Sequence, residues 1–366
     1  MKSEQVEKVN LAFEVLHEFY APAKANISNE TWDYLMGGGE TEATLERNRM
    51  ALDQVVFRPR VLRNVEKVSA RAKFLGHDLR LPLILAPIGS LQDIVASGGL
   101  APTRAAAEFG VLHMLSSVCK PGLEDVAAAT THPKLFQLYV RGDTEWVDGT
   151  IARAIEHKYA AICLTVDLDY YGRRDRDIAR RYKPTARREQ STSADPHQSR
   201  FSWADIQRIR RKFKAPLILK GIATAEDAKI AVEHGVEAVY ISNHGGRQLD
   251  HGKGGLDVLP EVVDAVRGRA EVVVDGGFFR GTDIVKAMAL GASAVGIGKL
   301  QGLALAAGGE SAAVRMLELL EDEVRRCLGL LGVTSYAELD RSYVAPALPL
   351  PRTGLHSAFP LLKEGY

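Results

Sequence analysis

Between Leu81 and Leu331 the chain repeats one pattern eight times: a short apolar run, then a stretch with helical spacing. The runs are 81–88, 111–116, 134–140, 160–167, 215–222, 238–244, 271–277 and 294–299. Most are apolar at successive residues instead of alternating, the mark of strands buried on both faces. The helical patterns are 99–109, 122–130, 144–158, 203–213, 224–234, 257–267, 282–290 and 311–331. Strands of this kind joined by helices build a parallel sheet. Eight units predict a closed α/β (β/α)8 TIM barrel. An open doubly wound sheet suits the spacing but not the number of units. Thr224 with Asp227 predicts a capping box, and Asp257 is read as an N-cap. Gly110, Gly235, Gly268 and Gly291 fall where helices should stop.

Two stretches lie outside that rhythm. An N-terminal extension carries helical patterns over 5–20 and from Ser28 to the glycine run 37–39. An insert after strand four, 168–202, is rich in arginine and ends EQSTSADPHQS, which reads as a mobile lid or disordered loop. The whole chain, 1–366, is read as one domain with its barrel core near 81–332.

The totals exclude several classes. A net charge of +1 offers no field for nucleic acid or membrane, and the insert's arginines lack interleaved aromatics for base stacking. No apolar run is long enough to span a bilayer. Cys119, Cys163 and Cys327 show no paired spacing, so neither a disulfide framework nor a cysteine metal site is expected. The opening MKSEQVEKVN lacks a signal-peptide core, and the closing KEGY is not a peroxisomal address. A cytoplasmic protein without a metal is the expectation.

Chemistry-bearing residues fall at the C-terminal strand ends, the face where barrel enzymes place their sites. They are Gln137, Tyr139, Thr165, Asp167, Lys220, Ser242, His244, Asp275, Gly276, Gly277, Gly298 and Lys299. In ISNHGGRQLD, residues 241–250, a strand releases His244 and Arg247 around two glycines. An imidazole can move a proton near neutral pH, and a guanidinium clamps a carboxylate or phosphate. The pair suggests proton abstraction from an anionic substrate; a glycine turn with a capping His and a solvated Arg is the plain alternative. Gly276-Gly277, Gly298-Lys299 and a helix start at Thr282-Asp283 predict a phosphate cradle. Lys220 reads either as a cation for an electron-rich group or as the partner of a buried acid such as Asp275.

The motif SNHGGRQLD at 242–250 stands with LAPIG at 85–89, LSS at 115–117, FQLYV at 136–140, LTVD at 164–167, GRRDRDI at 172–178, LKGI at 219–222 and DGGFFRGTD at 275–283. From WDYLMGGGE at 32 to LDRSYV near 340, the chain resembles the FMN-dependent (S)-2-hydroxy acid oxidases and dehydrogenases, which include glycolate and lactate oxidases. The resemblance implies oxidation of a 2-hydroxy acid to a 2-oxo acid. His244 would be the base, Asp167 its carboxylate partner, and Arg174 and Arg247 the substrate clamp. Tyr34 and Tyr139 would be hydroxyl donors at the substrate. Lys220 would stabilise the reduced flavin. Ala86, Pro87, Ile88, Gly89, Ser116, Gln137, Thr165 and Ser242 would line the ring and ribityl chain. Asp275, Gly276, Gly277, Phe279, Gly298 and Lys299 would hold ribityl and phosphate.

The resemblance also implies a homotetramer and, with no haem domain before the barrel, oxygen as acceptor, giving H2O2. A soluble dehydrogenase that passes electrons to a quinone or carrier protein is the alternative. Loss of the Cα proton first and direct hydride transfer both call on His244. The chain departs from the family at Phe279 and Lys299, where arginines usually serve the phosphate, with Arg280 as a candidate substitute. Those departures motivate a further alternative, a non-redox barrel that binds a phosphorylated ligand. Val118 and Tyr171 also depart, which points to a reshaped pocket for a substrate bulkier than glycolate.

Overall fold

The structure is a computed structural model that describes residues 13–188, 196–348, 350–351 and 354–365. Eight parallel strands close into a barrel in chain order. They are β1 (Leu83–Leu85), β2 (Leu112–Ser116), β3 (Leu135–Leu138), β4 (Ala161–Thr165), β5 (Leu217–Ile222), β6 (Ala238–Ile241), β7 (Glu271–Val274) and β8 (Ala294–Ile297). β8 pairs back onto β1, with Val295 opposite Leu83. The helices are α1 (Leu100–Phe109), α2 (Leu123–Ala128), α3 (Thr144–Glu156), α4 (Trp203–Lys212), α5 (Ala225–Glu233), α6 (Gly255–Val266), α7 (Gly281–Ala289) and α8 (Lys299–Leu331).

The predicted runs overshoot the strands mainly at their C-terminal ends. β6 stops at Ile241 and β7 at Val274, because the next residues leave the ladder. Gly245, Gly246, Gly276 and Gly277 all have positive φ there, a conformation glycine adopts without steric cost. Inside the barrel, Ile84, Met114, Cys163, Ile218, Tyr240 and Val273 pack together. Phe74 and Leu79, from the hairpin 72–79, join that packing. The hairpin sits at the N-terminal mouth, where the amide of Leu75 donates to Glu271 at the start of β7. The opposite mouth is left for the site.

Several expectations are corrected. Asp257 does not cap α6: Gly254 is the N-cap, and Asp257 sits within the first turn. Helix α8 starts at Lys299 instead of near 311, and bends at Gly308 and Gly309, whose φ/ψ values are non-helical. Its first part hides from periodicity because Leu300 to Ala306 are all buried. The N-terminal pattern over 5–20 lies partly outside the described residues. The described remainder forms a 3₁₀ turn, Leu16–Phe19, and a helix that continues to Asn26. Ser28 does cap the next helix, Asn29–Met36, accepting from the Thr31 amide. Thr224 likewise caps α5 through the amide of Asp227.

The insert is not a disordered loop over its described length. It forms short helices at 175–179, 185–188 and 196–200, and it is tied to the mouth. Asp93 accepts from the Tyr182 hydroxyl at 3.0 Å and the Thr185 amide at 2.8 Å. Gln198 accepts from the Val140 amide at 2.8 Å and donates to the Thr165 carbonyl at 3.1 Å. Residues 189–195 of EQSTSADPHQS lie outside the described residues.

Candidate active site

A cavity of about 480 Å³ opens at the C-terminal ends of the strands, within the range of small-molecule sites. Its wall includes Tyr34, Ala86, Pro87, Ile88, Gly89, Tyr139, Arg174, Lys220, His244, Arg247, Asp275, Gly276, Gly277, Phe279, Gly298 and Lys299. These expected residues come together from well-separated parts of the chain. Ser116, Gln137, Thr165, Asp167 and Ser242 are not on the wall itself but stand behind it. Gln137 donates to Thr165 Oγ1 at 2.9 Å, and Ser116 Oγ accepts weakly from the Val118 amide at 3.4 Å.

His244 follows β6 with φ near 59°, a left-handed conformation uncommon outside glycine. Its amide donates to Ser242 Oγ at 3.0 Å. Nδ1 lies 3.2 Å from Asp167 Oδ1, and Nε2 lies 3.2 Å from the Tyr139 hydroxyl. Asp167 can approach because β5 has a glycine beside it. A Cβ on Gly221, where φ is 117°, would stand 2.7 Å from the Asp167 Cβ. Burial lowers the His244 pKa, Asp167 opposes that shift, and Lys220 reinforces it. The imidazole is therefore neutral near pH 7 and able to accept a proton. Burial raises the Asp167 carboxyl, but the charges of His244 and Lys220 outweigh it and leave it below the ordinary range. An Nδ1–H facing Asp167 leaves the Nε2 lone pair toward Tyr139 and the cavity.

Two guanidinium groups stand on the same side. Arg174 is 6% exposed and donates to the Tyr171 hydroxyl at 2.5 Å and to the Arg247 carbonyl at 3.3 Å. Arg247 lies over the Tyr34 ring, 4.7 Å from its centroid, and donates to the carbonyls of Tyr34 and Gly37. Neither has a carboxylate partner within ion-pair distance among the described residues. Burial and the charge of Arg174 lower the Arg247 pKa. Two cations held this way favour an anion between them.

On the floor, Lys220 makes both expected kinds of contact. Its Nζ is 2.8 Å from Ser242 Oγ and 3.5 Å from Asp275 Oδ2. Burial lowers its pKa, but Asp275 and Asp167 more than offset that, so it remains charged.

The phosphate end differs from the sequence reading in one respect. Arg280 does not substitute for the missing guanidinium. It pairs with Glu323 and donates to the Ala358 carbonyl at 3.3 Å. Phe279 borders the cavity, but its ring packs edge-on against Phe359, with centroids 5.4 Å apart. Lys299 remains, with Nζ 3.4 Å from the carbonyls of both Gly37 and Gly245. Burial, then Arg247 and Arg174, push its pKa well down. A bound phosphate would restore its charge.

Residues that the sequence reading missed hold this frame. Asn48 and Asn243 exchange side-chain hydrogen bonds at 2.9 and 2.8 Å. Arg49 makes a fork to both oxygens of Asp283, at 2.7 and 2.9 Å, and reaches the Gly277 carbonyl at 3.0 Å. Asp250 accepts from the amides of Thr41 and Thr44 at 3.0 and 2.8 Å. Leu355 and His356, near the C-terminus, also reach the cavity wall. Asp250 stood at the end of the quoted motif, but nothing local in the sequence pointed to its partners.

Comparison with known proteins settles the family. A model of the FMN-dependent dehydrogenases matches residues 23–346. The chain belongs to the FMN-dependent dehydrogenase family. Glycolate oxidase 3 of Arabidopsis thaliana is 36% identical over 347 residues, covering 89% of this chain and 94% of the relative. L-lactate oxidase of a Nostoc species is 36% identical over 354 residues, covering 90% and 97%. Among solved structures, a mandelate oxidase superposes with a TM-score of 0.85 at 36% identity, covering 92% of this chain and 99% of that one. An active mutant of (S)-mandelate dehydrogenase gives 0.86 at 31% identity, covering 91% and 99%.

The residues present fit FMN. Gln137 Oε1 is buried with no hydrogen-bond partner among the described residues, which a bound polar group would supply. A Cβ on Gly298 would meet nothing within 4 Å, so the backbone there is open to close approach. Among the described residues no helix is long and apolar enough to cross a membrane, and no cluster of metal-ligating side chains occurs.

Proposed function

We propose that this protein oxidises the Cα–OH of an (S)-2-hydroxy acid to the 2-oxo acid, with FMN as the bound cofactor and O2 as the final acceptor, giving H2O2. FMN, when bound, takes the two electrons. The observation that carries the reading is the neutral His244, held between Asp167 and Tyr139 beside two guanidinium groups that lack carboxylate partners. Arg174 and Arg247 bind the substrate carboxylate and so fix which face of Cα meets the cofactor. Tyr34 and Tyr139 donate to substrate oxygens. His244 Nε2 accepts the proton, and Asp167 stabilises the imidazolium that results. Lys220, charged on the floor, supports electron density gathered above it. Gln137, Thr165 and Ser242 hold the ring and ribityl portion. Gly276, Gly277, Gly298 and Lys299 hold the phosphate.

The substrate is bulkier than glycolate. Val118 stands close against the Gly89 backbone, where a small side chain leaves room beside Tyr34. Tyr171 forms the facing wall between Arg174 and Arg187, whose guanidinium carbons lie 4.2 and 3.7 Å from its ring centroid. The mandelate oxidases among the structural neighbours agree with an aromatic or branched acid. Action as one domain, a cytoplasmic location and a homotetramer complete the reading; the ordinary composition and family membership support them.

The test is a panel of acids from glycolate through lactate to mandelate, added anaerobically to the FMN-loaded protein and followed by air. Bleaching of the flavin, prompt return of its colour and stoichiometric H2O2 are expected. Bleaching with recovery only on adding a quinone or carrier would favour a dehydrogenase, a reading that the mandelate dehydrogenase neighbour also supports.

A further inference from the structure

Tyr240 on β6 is wholly buried inside the barrel, and its hydroxyl has no hydrogen-bond partner among the described residues. A buried orphan hydroxyl is unfavourable, and phenylalanine would fill the same space without that cost. The position is informative. A Cβ added to Gly296 on β8 would stand 1.8 Å from the Tyr240 oxygen and 3.1 Å from the Asp275 Cβ. The hydroxyl thus takes the place of a β8 side chain, next to Asp275 and just beneath the cavity, whose wall includes Gly296. Tyr240 also pairs with Lys220 in the strand ladder, and Lys220 Nζ is 5.3 Å from the ring centroid.

Asp275 is therefore shared. Oδ1 accepts from the Ser242 hydroxyl at 2.7 Å, and Oδ2 faces Lys220 at 3.5 Å. That second distance is long for a charge-assisted hydrogen bond. Burial, then the charge of Asp275, keep the Tyr240 phenol protonated and able to donate.

We propose that Tyr240 is a positioning residue for the redox site, donating to Asp275 and so weakening that carboxylate's hold on Lys220. The ammonium's field is then directed into the cavity instead of being neutralised beneath it. This rests on the reading that Lys220 lies under the electron-rich part of bound FMN. The consequence is a higher two-electron reduction potential for the flavin.

Tyr240→Phe tests this without changing shape. Asp275 then closes on Lys220, and reduction of bound FMN becomes about tenfold less favourable, a fall of about 30 mV for a two-electron couple. The melting temperature stays level or rises, since an orphan hydroxyl has gone. A purely structural tyrosine would change melting but not the potential. Lys220→Met serves as the control, and the double variant closes the cycle. If Tyr240 acts through Lys220, adding Tyr240→Phe to Lys220→Met produces no further fall. A shift in Lys220→Met with Tyr240→Phe within about 9 mV of the parent, less than a twofold change, overturns the proposal alone. No shift in either variant overturns both the proposal and the placement of Lys220 beneath the flavin.

Discussion

Asp167→Asn probes the proton-transfer machinery most sharply. Asp167 Oδ1 lies 3.2 Å from His244 Nδ1 and touches no part of the cavity wall. Its effect must therefore pass through the imidazole. With charge centres roughly 4 Å apart and an effective dielectric near 20, the carboxylate stabilises an imidazolium by about 4 kcal/mol. The nearby charge of Lys220 opposes imidazolium formation with or without Asp167, so it largely cancels in the comparison. A loss of about 3–4 kcal/mol corresponds to a fall of about 100- to 1,000-fold in rate. Asparagine can also donate to Nδ1, which would select the wrong tautomer and add to the loss. Rapid-mixing measurement of flavin reduction under argon reads the step directly. FMN affinity should stay within a few-fold, since the cradle is untouched. Reduction at more than a tenth of the parent rate would refute the coupling of Asp167 to His244.

Other perturbations bear on the same frame. His244→Gln should cut flavin reduction by about 1,000-fold or more while leaving FMN bound, checked by rapid mixing and absorbance. The value of kcat/KM should rise with pH through an acid limb below about 6.5 and level off near neutrality, because burial holds the His244 pKa down and only the neutral ring accepts a proton. Stability should fall over the same acid range. His113 is pushed down to about 3 by burial, so between about 6.5 and that value the unfolded chain binds more protons than the folded one; chemical denaturation at several pH values reads this. Lys299→Met should weaken FMN about 10- to 100-fold but riboflavin hardly at all, if it serves the phosphate. Arg174→Lys should raise KM more than it lowers kcat for the best acid, because a bidentate clamp becomes a point charge.

The barrel was legible because strands buried on both faces have a distinctive run of apolar residues, and eight of them admit few closures. The site was legible for a related reason: catalytic residues had to follow those strands, so His244, Asp167 and Lys220 could be placed by counting. Features set by long-range packing were not. Asn48 meets Asn243 across 195 residues of sequence, and no local pattern announces such a pair. The first turns of α8 lack an exposed face, so periodicity could not detect them. The arrangement around Phe279 depended on Phe359, whose ring arrives from the far end of the chain. Arg280 sits beside the cradle in sequence, yet Glu323 on α8 draws its guanidinium away.

A crystal structure of the FMN-loaded protein with a bound 2-oxo acid product would test the central claim most directly. The product carboxylate is predicted on Arg174 and Arg247, its keto oxygen within hydrogen-bond reach of His244 Nε2, and Lys220 on the opposite side of the flavin ring. A product bound away from both arginines, or an imidazole turned from the reacting carbon, would contradict the account.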